Sequence, residues 1–228
     1  QAGLAAEASL GALRAVADLA NKISRERAPA NKVMSSRADE LAAKLKELDD
    51  YRKEVDLQIE QTIRILNTRS LSHQEKALFN NLKKSLQQGR QAVDAYAALP
   101  LSQRNSEQFD NAIQQMFKAW DSCYEILKNE LVQSEGKGTA VSEYYTLILI
   151  LSDLRDQAGR MASNVIAPVT VKENMSEDNL TRSLQTQHQA NYLWALVNTI
   201  QPEQDKTPEY LALHQQVKTQ FLDQAIPI

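Results

Sequence analysis

Apolar residues recur three or four positions apart along most of this chain, and that spacing constrains the fold more than any other feature. The clearest series steps by 4, 3, 4, 3, 4 and 4 residues: Phe109, Ile113, Met116, Trp120, Cys123, Leu127 and Leu131. Such steps place every member on one face of a helix, in the pattern of a packed helical bundle. Only six Gly and six Pro occur in 228 residues, which indicates few turns and long helices. We therefore predict an all-α fold.

The N-terminal series from Leu13 to Leu66 predicts one very long helix, or two helices that separate at Pro29. Pro29 is the expected break because an interior proline removes a backbone hydrogen bond and clashes with the preceding turn. An unbroken helix over 4–66 would be on the order of 90 Å long. Ser72, followed by Glu75, predicts the start of the next helix through a capping box.

Two glycines within 134–139 predict a break between the two halves of the chain. The second half predicts a helix that stops before Pro168, a helix capped by Ser176, and a last helix after Pro208 that the sequence leaves incomplete. The total is six or seven helices with short connections, so neighbouring helices should be antiparallel.

We expect an elongated antiparallel bundle, built as two stacked four-helix bundles that share a long first helix. One submodule would cover 35–134, and the other would combine 1–34 with 138–228. The chain begins at Gln1 and ends at Ile228, and we expect it to be an excised part of a longer protein.

Charge and composition exclude several functions. With 26 Lys and Arg against 29 Asp and Glu, the net charge of −3 gives no overall attraction to nucleic acid or to an anionic membrane. The longest aliphatic run, 147–151, is too short to cross a bilayer. Cys123 falls on an apolar seam, and His73, His188 and His214 fall on separate predicted helices, so we expect no metal, no cofactor and no catalysis.

Three apolar seams are interrupted by polar residues. The interruptions are Ser24 to Arg27 in the first helix, Arg155 in the helix of the second half, and Gln187, His188 and Asn191 in the helix after it. A buried guanidinium is costly unless it is paired, so such positions need a carboxylate, a bound anion or water. The plainer alternative is that Arg25 with Glu26, and Arg155 with Asp156, lie on solvated flanks.

Two segments of the chain resemble sequence motifs of a known class of proteins. The sequence LANKISRERAPAN over 19–31 resembles an "L…ER-G/A-P…N" motif, and LSDLRDQAGR over 151–160 resembles an "LRD.AGR" motif. Both motifs are typical of all-helical extracytoplasmic sensor regions in bacterial histidine kinases, chemoreceptors and diguanylate cyclases. The nearest families are the nitrate- and nitrite-sensing (NIT) domain and the helical bimodular sensor domain, both built from stacked four-helix bundles.

The resemblance implies that 1–228 form one ligand-sensing region in the periplasm, part of a receptor of the bacterial inner membrane. It implies no enzymatic activity in this region, although the whole receptor would carry a kinase or cyclase output domain. Its ligand would be a nitrate-like oxyanion or a carboxylic acid. The whole receptor would be a homodimer that meets the membrane only through flanking transmembrane helices.

The candidate ligand-binding residues come from the two motifs and from the third polar interruption. They are Arg25, Arg27, Arg155, Arg160, His188 and Asn191. Planar guanidinium groups suit an oxyanion or a carboxylate. Ligand binding would shift the helix packing and pass a small movement to the transmembrane segments.

One alternative is a protein-docking module without a small ligand, which binds a periplasmic binding protein or a second copy of itself through Leu10, Leu13 and Ala17. A helical spacer is a third possibility. The position of Arg25 and Arg155 discriminates between the first two. Convergence on an enclosed cavity would favour a ligand, and separation into solvent would favour docking.

Overall fold

The computed structural model describes residues 2–134 and 139–200, and within these ranges the chain is all-α. It contains six α-helices and one short 3-10 turn, with no strand among the described residues. The helices are α1 (Ala2–Met34), α2 (Leu41–Asn67), α3 (His73–Ala97), α4 (Ser106–Gln133), α5 (Thr139–Val171) and α6 (Glu177–Ile200). The all-α antiparallel bundle predicted from the apolar spacing is confirmed.

The long N-terminal segment forms two helices, but it does not divide at Pro29. Pro29 lies inside α1, and the chain reverses between Met34 and Leu41. The Lys22 ammonium donates to Gln58 Oε1 at 2.9 Å, so α2 runs back along α1. A break at Pro29 and a continuous 90 Å helix are therefore both wrong, and the 33 residues of α1 span about 50 Å.

Arg104 links the C-terminal ends of α1 and α3 through hydrogen bonds to their backbone carbonyl groups. Its guanidinium donates to the carbonyl oxygens of Met34 (3.3 Å), the last residue of α1, and of Ser36 (3.1 Å) in the following turn. It also donates to those of Ala97 (2.8 Å), the last residue of α3, and of Leu99 (2.9 Å) just beyond it. The last carbonyls of a helix have no partner within it, and one arginine satisfies such groups for two helices.

The predicted helix starts at Ser72 and Ser176 are confirmed. Ser72 and Glu75 form a complete capping box, and the Ser176 hydroxyl accepts from the backbone N–H of Asn179 at 3.1 Å. In contrast, α5 continues through Pro168 to Val171, so the predicted stop before that proline is wrong. Residues 135–138, where the glycines lie, and the predicted helix after Pro208 fall outside the described residues.

The six helices pack around α1 and α4. Helix α1 contacts α2, α3, α4 and α5, helix α4 also contacts α3 and α5, and α6 packs against α5. Gly89 of α3 allows a close approach to α4, since a Cβ there would lie 3.3 Å from the Gln115 carbonyl oxygen. Helix α1 thus touches helices of both predicted submodules, and the division into submodules stays a prediction.

Two large apolar clusters fill the bundle of α1 to α5, and each draws side chains from all five helices. A third, smaller cluster between α5 and α6 contains Leu154, Ala190 and Leu193. One large cluster extends along α1 as far as Ile23, and the other large cluster begins at Ala30. Charged side chains of Glu26 and Arg27 lie between them, buried to about 95% or more. The sequence interruption at 24–27 is therefore a polar layer across the middle of the bundle. Among the residues described, no helix is long and apolar enough to span a membrane.

Candidate functional site

The two motif segments, one on α1 and one on α5, lie against each other in the polar layer. The Asn31 amide donates to the Ser163 hydroxyl at 3.2 Å, and the Tyr145 hydroxyl donates to the Ser9 carbonyl at 2.5 Å. Sequence positions increase together along both helices, so α1 and α5 run parallel. Residues that are about 130 positions apart in the sequence thus form one site.

Arg27 is buried and paired. Only 3% of it is exposed, and its Nη1 lies 2.6 Å from Asp156 Oδ1. Its Nη2 donates to the Ser24 hydroxyl at 3.1 Å, and its guanidinium lies over the Phe117 ring at 5.1 Å. Burial lowers the pKa of Arg27, and the Asp156 carboxylate opposes that shift. Asp156 therefore offsets part of the cost of burying this charge.

Arg160 shares the same carboxylate. Its Nε donates to Asp156 Oδ2 at 2.6 Å, its Nη2 donates to Asp121 Oδ1 at 2.5 Å, and it stacks on Phe117 at 4.5 Å. Burial alone would lower the pKa of Arg160, but Asp156 and Asp121 outweigh burial and raise it. We call Arg27, Arg160, Asp121 and Asp156 the Asp156 network. Its two positive and two negative charges cancel.

Gly159 makes room for this network. A Cβ at this position would lie 2.9 Å from Arg27 Nη2, which is closer than packed atoms approach. The helix continues through Gly159 without a break. The glycine in the second motif therefore lets the Arg27 side chain approach the backbone of α5.

Arg155 differs from its neighbours because it has no acidic partner. Within the described part of the chain it makes no ion pair and no hydrogen bond, although it is half-buried. Burial lowers the pKa of Arg155, and the nearby positive charge of Arg25 lowers it further. Arg25 itself is exposed. A half-buried guanidinium without a counter-charge is the type of group that attracts an anion.

Arg155 lines a pocket of about 180 Å³ between α1 and α5, which we call the Arg155 pocket. Trp120 and Ile148 form its apolar part, and Ser24 and Ser152 supply hydroxyl groups. Asn21 also lines it, with a buried Oδ1 that has no hydrogen-bond partner. Sequence reasoning missed Asn21, although it lies one turn before Ser24 on the same face of α1.

The sequence left open whether Arg25 and Arg155 converge on a cavity or separate into solvent, and the answer differs between the two arginines. Arg155 lines the pocket, while Arg25 does not. Exposed Asp18 lies at the edge of the pocket. Of the proposed docking residues, Leu13 is completely buried in the core, and Leu10 and Ala17 are partly buried.

His188 and Asn191 are not brought to this site. Both are exposed on α6, and His188 lines a separate surface groove with Leu184 and Tyr192. Among the described residues, only α6 side chains line this groove. Within the described structure, His188 and Asn191 therefore lie on the exposed face of α6, and Gln187 is partly buried.

The described residues hold no group of His, Cys, Asp and Glu that could bind a metal ion. Cys123 is buried, and burial raises the pKa of its thiol, so the reactive thiolate is disfavoured. His214 lies outside the described ranges.

Comparisons with known proteins add no assignment. No protein-family model matches the chain, and neither a curated protein nor a solved structure shows significant similarity to it.

Proposed function

We propose that this chain is an extracytoplasmic ligand-sensing domain of a bacterial membrane-bound receptor. We further propose that it binds a small anion, either a nitrate-like oxyanion or a short carboxylic acid, in the Arg155 pocket. The observation that carries the proposal is the contrast between two arginines of α5 that lie five residues apart. Arg160 is neutralised by Asp156 and Asp121, while Arg155 has no such partner among the residues described.

The size and lining of the pocket favour a small planar ligand. A volume of about 180 Å³ lies below the usual range of about 300–1,000 Å³ for drug-sized ligands. A guanidinium binds two oxygens of a planar anion side by side. The hydroxyls of Ser24 and Ser152 can donate to the remaining oxygens.

The walls of the pocket suggest how binding would be transmitted. A bound anion would contact Arg155 of α5 and polar groups of α1 at once. Asp156, the next residue after Arg155, already ties α5 to α1 through Arg27. A ligand would therefore change the balance of contacts between two parallel helices, where shifts of about 1–2 Å are typical of signalling proteins.

The receptor assignment is supported by the resemblance of the two motifs and by their meeting in the fold. Segments 19–31 and 151–160 contribute Arg27, Asp156 and Arg160 to the Asp156 network. They also contribute part of the lining of the Arg155 pocket, including Asn21, Ser24, Ser152 and Arg155. A periplasmic position and a link to an output domain are part of the proposal and follow from that resemblance.

Calorimetry and thermal unfolding test the binding. Nitrate, nitrite, acetate and short dicarboxylates are added to the 228-residue chain, and a ligand at 100 times its Kd should add about 2.7 kcal/mol to the free energy of unfolding. Arg155→Gln should abolish the response. Arg64→Gln is the matched control, because Arg64 is an exposed arginine of α2 without an ion pair among the described residues.

Two results would contradict the anion site. One is a folded protein that responds to no member of the panel, which would favour the docking alternative. The other is an Arg155→Gln variant that binds as tightly as the unchanged chain.

A further inference from the structure

A second polar pocket lies on the other side of α5, between α4, α5 and α6, and we propose that it binds a neutral polyhydroxylated molecule such as a sugar or polyol. Its volume is about 330 Å³, within the range of small-molecule sites. Carboxamide and guanidinium groups dominate its lining, and we call it the amide pocket: Gln114 of α4, Gln157 and Asn164 of α5, and Arg182, Gln185 and Gln189 of α6.

The charges in the amide pocket are already balanced, which excludes an ionic ligand as the natural occupant. Arg160, at its inner edge, is paired with Asp121 and Asp156. Arg182 is paired with Asp110 of α4. An anion would have to compete with carboxylates that are held in place, whereas a neutral ligand would not.

Three buried polar atoms of the lining residues have no partner. They are two donors, Gln114 Nε2 and Arg182 Nε, and one acceptor, Asn164 Oδ1. Asn164 is only 1% exposed, and its Nδ2 is held by the Thr186 hydroxyl at 3.3 Å. Buried polar groups are nearly always hydrogen-bonded in proteins. Unpaired donors and an unpaired acceptor around one pocket therefore indicate a ligand that both accepts and donates.

Asp153 fixes the orientation of one more amide. Gln157 Nε2 donates to Asp153 Oδ1 at 3.1 Å. Because a carboxylate only accepts, Gln157 directs its N–H group to Asp153 and keeps its carbonyl oxygen as an acceptor. A hydroxyl group donates one hydrogen bond and accepts two. Several hydroxyls on a small neutral ring or chain match this mixed set.

The test is isothermal titration calorimetry of the full 228-residue chain with hexoses, pentoses and the corresponding alditols. The compounds are kept at millimolar concentration. At much higher concentration, sugars stabilise proteins non-specifically because they are excluded from the protein surface. We expect saturable heat with at least one of these compounds. Gln114→Met keeps the side-chain volume and removes the unpaired donor, and it should weaken binding about tenfold.

The control is Gln115→Met, which makes the same change one residue along α4, outside the amide pocket, and should bind as the unchanged chain does. Arg155→Gln should also leave sugar binding intact, so this site and the anion site fail independently. The proposal is overturned if no neutral compound gives saturable heat, or if Gln114→Met binds with unchanged affinity. It is also overturned if only nitrate or acetate binds and Gln114→Met weakens that binding.

Discussion

In the polar layer, a buried charge of α1 is neutralised on each side of this helix, and the two sides differ in how this is done. Toward α2 and α3, Glu26 accepts from Arg90 at 2.7 Å, and Arg90 also reaches Asp56 at the surface, at 2.7 Å. Toward α4 and α5, Arg27 is paired with Asp156, of which 0% is exposed. Both sides bury one charge of α1. On the first side the partner of that charge, Arg90, itself binds the exposed Asp56, whereas on the second side the exposed Asp121 is reached only through a further residue, Arg160.

The difference shows where this bundle depends on a single residue. On the α2–α3 side, Arg90 keeps Asp56 and the Arg52 carbonyl as partners if Glu26 is lost. On the α4–α5 side, Asp156 alone neutralises Arg27. Next to it, Arg155 stays unpaired at the wall of its pocket. The side with less redundancy is the side that carries the proposed site.

The largest effect is expected from Asp156→Asn. The change leaves the buried Arg27 without a counter-charge, which costs about 3–5 kcal/mol in the free energy of unfolding. Urea unfolding followed by circular dichroism measures it. Asp121→Asn is the control, since Asp121 is exposed and its ion pair contributes about 0–1 kcal/mol. Equal losses in the two variants would show that Asp156 is not the critical partner.

Glu26→Gln should cost less, about 1.5–3 kcal/mol, because Arg90 retains its other partners after it loses hydrogen bonds to a charged acceptor. The same urea experiment gives the value. A loss as large as that of Asp156→Asn would mean that the two sides are equally dependent on one carboxylate, and the comparison would fail.

Substitution of Gly159 sharpens the comparison further. Gly159→Ala should destabilise the chain by about 1 kcal/mol, because crowding of Arg27 exceeds the gain in helix propensity. Gly11→Ala provides the control, since nothing lies near a Cβ at that position of α1. It should stabilise the protein by about 0.5–1 kcal/mol. Two changes of the same sign would refute the role given to Gly159.

The smallest effect on stability is expected from Arg155→Gln. Removing an unpaired, half-buried charge should leave the free energy of unfolding unchanged or raise it by less than about 1 kcal/mol. Thermal unfolding without ligand measures this. A clear destabilisation would show that Arg155 has a structural partner and would weaken the anion proposal.

The helices were predictable because apolar spacing depends on local geometry alone. The break predicted at Pro29 was wrong for a reason that lies in packing. An interior proline costs about 3 kcal/mol, but α1 continues beyond Pro29 to bury Val33 and Met34 completely. Burying such side chains is worth about 1.5–3 kcal/mol each, so the tertiary contacts outweigh the local cost.

The site was predictable only in part. The seam position of Arg155 indicated a partly buried cation, which the structure confirms. The motifs also named Arg27 and Arg160, which lie in ion pairs with Asp156, and their role in ligand binding stays a prediction. Their partners were not predictable, because Asp156 meets Arg27 across 129 positions of sequence and Asp121 comes from a third helix. The prediction for His188 assumed that another helix would pack on that face of α6. In the described structure His188 is exposed.

The four carbonyl bonds of Arg104 also bear on how the bundle opens. Two of these hydrogen bonds are accepted in the turn between α1 and α2, and the other two at the C-terminal end of α3. About 65 residues of sequence separate the two turns. Neither turn can open fully without breaking bonds to the same guanidinium, so local unfolding of one must disturb the other. Amide protons in the two turns should therefore exchange with solvent as one cooperative unit, at one end of the molecule and independently of its polar layer.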